Sequence, residues 1–189
     1  MYGKRKSFPR GTWSEDVNGE SKRRVTRYLI EEVLKWSNDD IKEEWNQSLI
    51  TKFKLTSVMQ VYRSSPYEML NAAYPNRFKE WELKCVPKNF WTKEKGLLAL
   101  RWWIEKKEKL TKEDVLDVHS GEWLRERNLG TPLLKYWNNN AYQMLNAAYP
   151  NEYREWELKR VSNKFWNDKE KSLKIFKQII KEKGMSQEI

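Results

Sequence analysis

The residues best suited to chemistry are polar side chains gathered at the ends of two predicted short helices. Residues 131–140 carry Lys135, Asn138, Asn139 and Asn140, and the matching residues 57–65 carry Gln60, Arg63, Ser64 and Ser65. Asn and Gln can pair bidentately with adenine, and Arg or Lys can reach guanine or phosphate, so these types suit base edges or a duplex backbone. A solvated helix end would use the same residues. A second group, Lys4, Arg5, Lys6 and Arg10 with Lys22, Arg23, Arg24 and Arg27, reads as a phosphate-seeking arm leading into the first long helix.

Catalysis finds little support. A lone Cys85 excludes an intramolecular disulfide, and with a single histidine, His119, it cannot supply the ligands of a Cys/His zinc site. Asp39, Asp40, Asp114 and Asp117 are conceivable metal carboxylates, yet Asp40 and Asp114 fall at the fourth position of capping boxes that open at Ser37 and Thr111, which accounts for them. No glycine-rich phosphate loop is present. The sequence therefore predicts a non-enzymatic protein with no catalytic residue, no metal and no cofactor. His119 is expected to face solvent or cap a helix, and Cys85, which aligns with Arg160, is expected to be exposed.

The elements that must position these groups emerge from an internal repeat. Residues 67–91 read YEMLNAAYPNRFKEWELKCVPKNFW and residues 142–166 read YQMLNAAYPNEYREWELKRVSNKFW, identical at 17 of 25 positions. Upstream, RYLIEEVLKWSNDDI (27–41) lies over RWWIEKKEKLTKEDV (101–115) with charge, aromatic and aliphatic classes in register. The chain then divides into a basic arm (1–12), two helical units (13–90 and 91–165) and a C-terminal helix (166–189) that begins a third copy or caps the second.

Within the second unit, apolar residues at helical spacing predict one long helix over residues 93–109, opened by Thr92 as N-cap. A short helix follows the Thr111 capping box and is interrupted at Gly121. Gly130, Thr131 and Pro132 read as a break, an N-cap and a first helical residue, opening the helix of residues 131–140. A fourth helix ends before Pro150; in the first unit Ser65 and Pro66 open it and Pro75 closes it. No stretch alternates as a strand would. The fold class predicted is all-α: two tandem helix-turn-helix-like repeats of about 75 residues and a terminal capping helix.

Composition sets the outer bounds. The chain has 189 residues, 39% of them apolar, with eleven Trp, nine Tyr and six Phe, so intrinsic disorder is the wrong default. There are 37 basic against 27 acidic residues, net +10, which favours polyanionic partners. Apolar runs such as residues 97–100 are far below the roughly 20 residues of a membrane span, and the first ten residues lack a signal-peptide core. A cytoplasmic, nucleoid-associated protein without membrane contact is expected.

The order of long helix, capped short helix, threonine-opened helix ending in an aromatic, and Ala-rich helix ending in a turn resembles the helical repeats attached to phage and bacterial homing endonucleases of the HNH and GIY-YIG types. Residues 131–136 and 142–149 carry the resemblance. Such repeats position a nuclease domain on DNA, so the resemblance implies a DNA-holding module; here it comes without a nuclease domain and with an added EWELK stretch. In a helix-turn-helix the second helix enters the major groove, which assigns that role to residues 131–140 and 57–65.

The expected function is double-stranded DNA binding, as a regulator, nucleoid-associated protein or phage accessory factor. Two alternatives stay open: a protein-interaction module in which Trp102, Trp103, Trp123 or Trp137 forms an apolar patch, and an RNA or single-strand binder using aromatics beside basic residues. LNAAYPN, identical in both units, reads as a packing element, with Asn71 and Asn146 as weaker phosphate candidates.

Overall fold

The computed structural model describes residues 11–13, 15–161, 167 and 169–182, and the described residues form helices and turns without a strand. The protein is all-α. It divides into two units, Met1–Phe90 and Trp91–Ile189.

In the first unit, α1 (Glu20–Tyr28) continues into a wider π turn (Leu29–Leu34), followed by α2 (Asn38–Glu44), α3 (Gln47–Lys52), α4 (Thr56–Val61), α5 (Pro66–Ala73) and a 3-10 turn (Glu80–Glu82). In the second, α6 (Lys93–Arg101) runs into a π turn (Trp102–Lys107), then α7 (Lys112–Val118), α8 (Gly121–Glu126), α9 (Gly130–Trp137), α10 (Ala141–Ala148) and a 3-10 turn (Glu155–Glu157), with α11 (Lys169–Glu182) after it. From α2 and α7 onward, each element of the second unit starts 74 or 75 residues beyond its counterpart in the first.

Local chemistry explains many of these starts. Ser37 and Asp40 form a reciprocal capping box on α2, and Thr111 and Asp114 form the same box on α7. The hydroxyl hydrogen bond from Ser37 holds the Asp40 carboxyl below its ordinary range, and the backbone N–H and hydroxyl of Thr111 do the same for Asp114. Thr92 caps α6, and Ser65 caps α5 with Pro66 as its first residue.

Three sequence expectations are corrected. The long helix of residues 93–109 stops being α-helical at Arg101, because a few residues of apolar spacing do not distinguish a 3.6-residue turn from the wider turn after it. Between the second and third expected helices lies another, α3 or α8, capped by the Asn46 or Ser120 side chain. Gly121, an interruption by its residue type, is the first residue of α8. Third, α9 begins at Gly130, not after Thr131, with buried Leu129 preceding it.

The two additional helices create the central substructure of each unit. A three-residue turn joins α3 to α4 through Lys54 (φ 59°), and a matching turn joins α8 to α9 through Asn128 (φ 61°). The amide after each left-handed residue reaches back five residues, Leu55 N–H to the Ile50 carbonyl at 3.0 Å and Leu129 N–H to the Leu124 carbonyl at 2.9 Å. Leu55 and Leu129 are buried. The core they enter contains Ile30, Ile41, Ile50, Met59 and Leu70 in the first unit, and the corresponding Ile104, Val115, Leu124, Leu133 and Leu145 are buried in the second.

A β-branched residue cannot take the left-handed position without cost. Asn128→Val should lower the stability of the second unit by about 1–2 kcal/mol, while Asn128→Gly should leave it unchanged or raised. Urea denaturation checks this, and a neutral valine variant would contradict the turn.

Candidate nucleic-acid interface

In each unit the surface expected to meet nucleic acid is built by one helix, α4 in the first or α9 in the second, and by the turn at its C-terminal end. On α4, Val58 and Met59 are buried, whereas Gln60 and Val61 are exposed. On α9, Pro132, Leu133 and Trp137 are buried, and Thr131, Leu134 and Lys135 are exposed. Each helix therefore has one anchored face and one outward face. Gln60 and Lys135 stand on outward faces, the Lys135 ammonium 5.1 Å from the Tyr136 ring centroid.

The other expected members are not on these helices. Arg63 (φ 55°) and Ser64 (φ 57°) form a left-handed pair after α4, and Asn138 (φ 48°) and Asn139 (φ 61°) form the same pair after α9. Backbone geometry thus accounts for the paired asparagines, which tolerate this conformation. The Asn139 side-chain oxygen accepts from Arg125 Nη2 at 2.9 Å, and Asn140 caps α10 by accepting from the Gln143 amide at 2.9 Å. Asn138, Arg63 and Ser64 are exposed.

The basic group near α1 divides in three. Lys4, Arg5, Lys6 and Arg10 lie outside the described residues. Lys22 is buried: its ammonium donates to the carbonyls of Trp13 at 3.0 Å and Asp16 at 2.9 Å and lies 3.5 Å from the Asp16 carboxylate. It fastens the approach to α1 and is withdrawn from the surface, so it leaves the set of phosphate contacts. Arg23 pairs with Glu20 at 3.0 Å and Arg24 is exposed.

The repeated LNAAYPN segment is a packing device. Asn71 and Asn146 accept from the amides of Asn76 and Asn151, at 3.0 and 3.1 Å. Arg27 donates to the Ala73 carbonyl, and Arg101 donates through Nε and Nη2 to that of Ala148. Tyr74 donates to Glu31 at 2.7 Å and Tyr149 to Glu105 at 2.8 Å; burial and these carboxylates push both phenols above their ordinary range. The EWELK stretch closes back on α2 or α7, with the Lys84 amide donating to the Lys42 carbonyl and the Lys159 amide to that of Leu116, both at 2.9 Å.

Tryptophan is used inward. Trp123 and Trp137 are buried, so the apolar partner patch is not assembled from them, and Trp102 and Trp103 are half-buried, edge to face with centroids 5.1 Å apart. Arg127 lies 4.0 Å from the Trp123 centroid and 5.8 Å from that of Trp103, with Nε on Glu108 at 2.5 Å and Nη1 on the Trp123 carbonyl at 2.8 Å. At the aligned positions the first unit has Leu29, Leu34, Leu49 and Phe53.

His119 stands at the C-cap of α7, one of its two expected places, but is buried and does not face solvent, with Nε2 donating to the Ala141 carbonyl at 2.9 Å. Its counterpart Trp45 does the same job, donating through Nε1 to the Pro66 carbonyl at 2.8 Å. Cys85 is exposed, as its alignment with Arg160 implied. No group of three or more His, Cys, Asp or Glu that could hold a metal occurs among the described residues. No described helix is long and apolar enough to cross a membrane.

Residues 1–79 match a family described only as a protein of unknown function, DUF4046. The match ends within the first unit. No curated protein and no solved structure gives a significant match to the chain.

Burial holds the His119 imidazole below its ordinary value of 6.5, the Ala141 hydrogen bond opposing it. The unfolded chain then binds the proton more readily than the folded one. His119's contribution is fully present above about pH 6.5 and is lost as pH falls through that value toward the folded pKa. Urea midpoints should fall between about pH 7 and pH 5, and His119→Gln should flatten part of that fall; an unchanged slope in the variant would contradict the assignment.

Proposed function

We propose that this protein binds double-stranded DNA without cleaving it, setting the outward face of at least one helix-turn-helix pair, α3–α4 or α8–α9, in the major groove. The observation that carries the reading is the pair itself: two short helices, a three-residue left-handed turn and a second helix with one face anchored and the other outward. The net charge of +10 supplies the long-range attraction to phosphate. The resemblance of residues 131–136 and 142–149 to repeats that hold nucleases on DNA points the same way.

Duplex is favoured over single strands by where the aromatics lie. Single-strand binders stack bases on exposed rings, whereas the large exposed hydrophobic residues here include two aromatics, Tyr28 on α1 and Phe176 on α11. The remaining exposed members are aliphatics, Val17, Val61, Leu98, Leu134 and Leu173.

Fluorescence anisotropy of a labelled duplex of about 30 base pairs and its single strand, at about 50 and 200 mM salt, tests this. The duplex should bind more tightly. Even two phosphate contacts would weaken it about twelvefold across that salt range. Absence of binding at the lower salt, or preference for the single strand, would overturn the reading.

A further inference from the structure

Net charge does not distinguish the two halves. Residues 1–90 hold 17 basic and 12 acidic residues and residues 91–189 hold 20 and 15, so each carries +5. The placement of that charge around the two helix pairs does distinguish them.

The first pair stands in a stretch without acids. From Asn46 to Tyr67 the chain holds Lys52, Lys54 and Arg63 and no Asp or Glu. Lys52 at the end of α3, Lys54 in the turn, Gln60 on α4 and Arg63 and Ser64 beyond it are all exposed. Asp16, the acid whose charge reaches Tyr62 in this neighbourhood, is itself engaged by Lys22.

The second pair has lost this pattern position by position. Where the first unit has Lys52, Lys54, Gln60 and Arg63, the second has Glu126, Asn128, Leu134 and, at the matching left-handed position, Asn138. Glu122 adds a further acid to α8. Its arginines are engaged within the unit, Arg127 by Glu108 and the Trp123 carbonyl between two indoles and Arg125, at the surface, by Asn139, which leaves Lys135 beside the Tyr136 ring as the exposed cation of α9. Arg160 is paired with Glu122 at 2.7 Å. On α6, exposed Leu98 stands where α1 has Arg24.

We infer that the first helix pair alone carries the phosphate contacts, through Lys52, Lys54 and Arg63, and that α8–α9 is a structural copy that does not touch the duplex. The inference rests on the duplex-binding reading above. Gln60, on the exposed face of α4 between these cations in sequence, is the residue placed to meet a base edge, and its side-chain amide suits adenine.

The test compares two charge-matched triple variants of the full chain by duplex anisotropy over about 50 to 200 mM salt. One carries Lys52→Ala, Lys54→Asn and Arg63→Asn, with asparagine at the two left-handed positions so that the backbone is not strained. The other carries Arg125→Gln, Lys135→Gln and Arg160→Gln. Circular dichroism and urea midpoints establish that both fold. The first variant should lose about tenfold or more in affinity at the lower salt, and its log–log salt slope should shrink by about 0.9 for each lost contact, or nearly 3. The second should stay within about threefold of the parent, with its slope unchanged. An equal or larger loss in the second variant, or no loss in the first while the parent binds, would overturn the inference and leave duplex binding standing. Failure of the parent itself to bind would overturn both.

Discussion

The left-handed residue between each pair of short helices, Lys54 or Asn128, is the constraint on which the placement of everything outside the core depends. With that residue left-handed, the chain turns within three residues, satisfies carbonyls in the last turn of α3 or α8, and places Leu55 or Leu129 in the core. Those leucines begin α4 and α9 in fixed rotation, so Met59 and Leu133 are buried and Gln60 and Leu134 must be exposed. A right-handed residue at the turn would carry the preceding helix onward and remove the outward face altogether.

The surrounding elements brace this turn by tertiary bonds that recur in both halves. The Ala-rich helix α5 or α10 is clamped at its end by an arginine and a tyrosine–glutamate bond, and at its start by an indole or imidazole N–H on the carbonyl of its first residue. Identity of LNAAYPN in both copies thus reflects a set of polar groups each already committed within its own unit. Around this shared frame the halves use different interiors. Leucines and Phe53 on one side correspond to a Trp103–Arg127–Glu108 cluster on the other, where a guanidinium between indoles replaces aliphatic packing.

Local signals are legible in the sequence and tertiary ones are not. The capping boxes at Ser37 and Thr111, the caps at Thr92 and Ser65 and the proline entry to α5 depend on three or four neighbouring residues, and each forms as its spacing predicts. The helices α3 and α8 are hard to read because six residues hold too little periodicity, although Asn46 and Ser120 mark their starts. Lys22 has the sequence context of a surface cation because its acceptors, the carbonyls of Trp13 and Asp16, converge only when the preceding loop folds back. The burial of His119 is hidden by its counterpart's being a tryptophan; the two residue types share one relevant property, a ring N–H that reaches a carbonyl. The Asn138–Asn140 triplet has the composition of a reading surface, yet backbone conformation, an arginine bond and a helix cap account for it.

On the proposed reading, two halves of one frame have parted in role, the first keeping an acid-free outward face and the second setting acids beside its helix pair and engaging its arginines within the unit. Hydrogen–deuterium exchange of the whole protein, with and without saturating duplex, tests this most directly because it reports every segment at once. Slowed exchange in the first helix pair, residues 46–67, with residues 120–143 of the second unchanged, is the predicted result. Protection of residues 120–143 with residues 46–67 unaffected would contradict it.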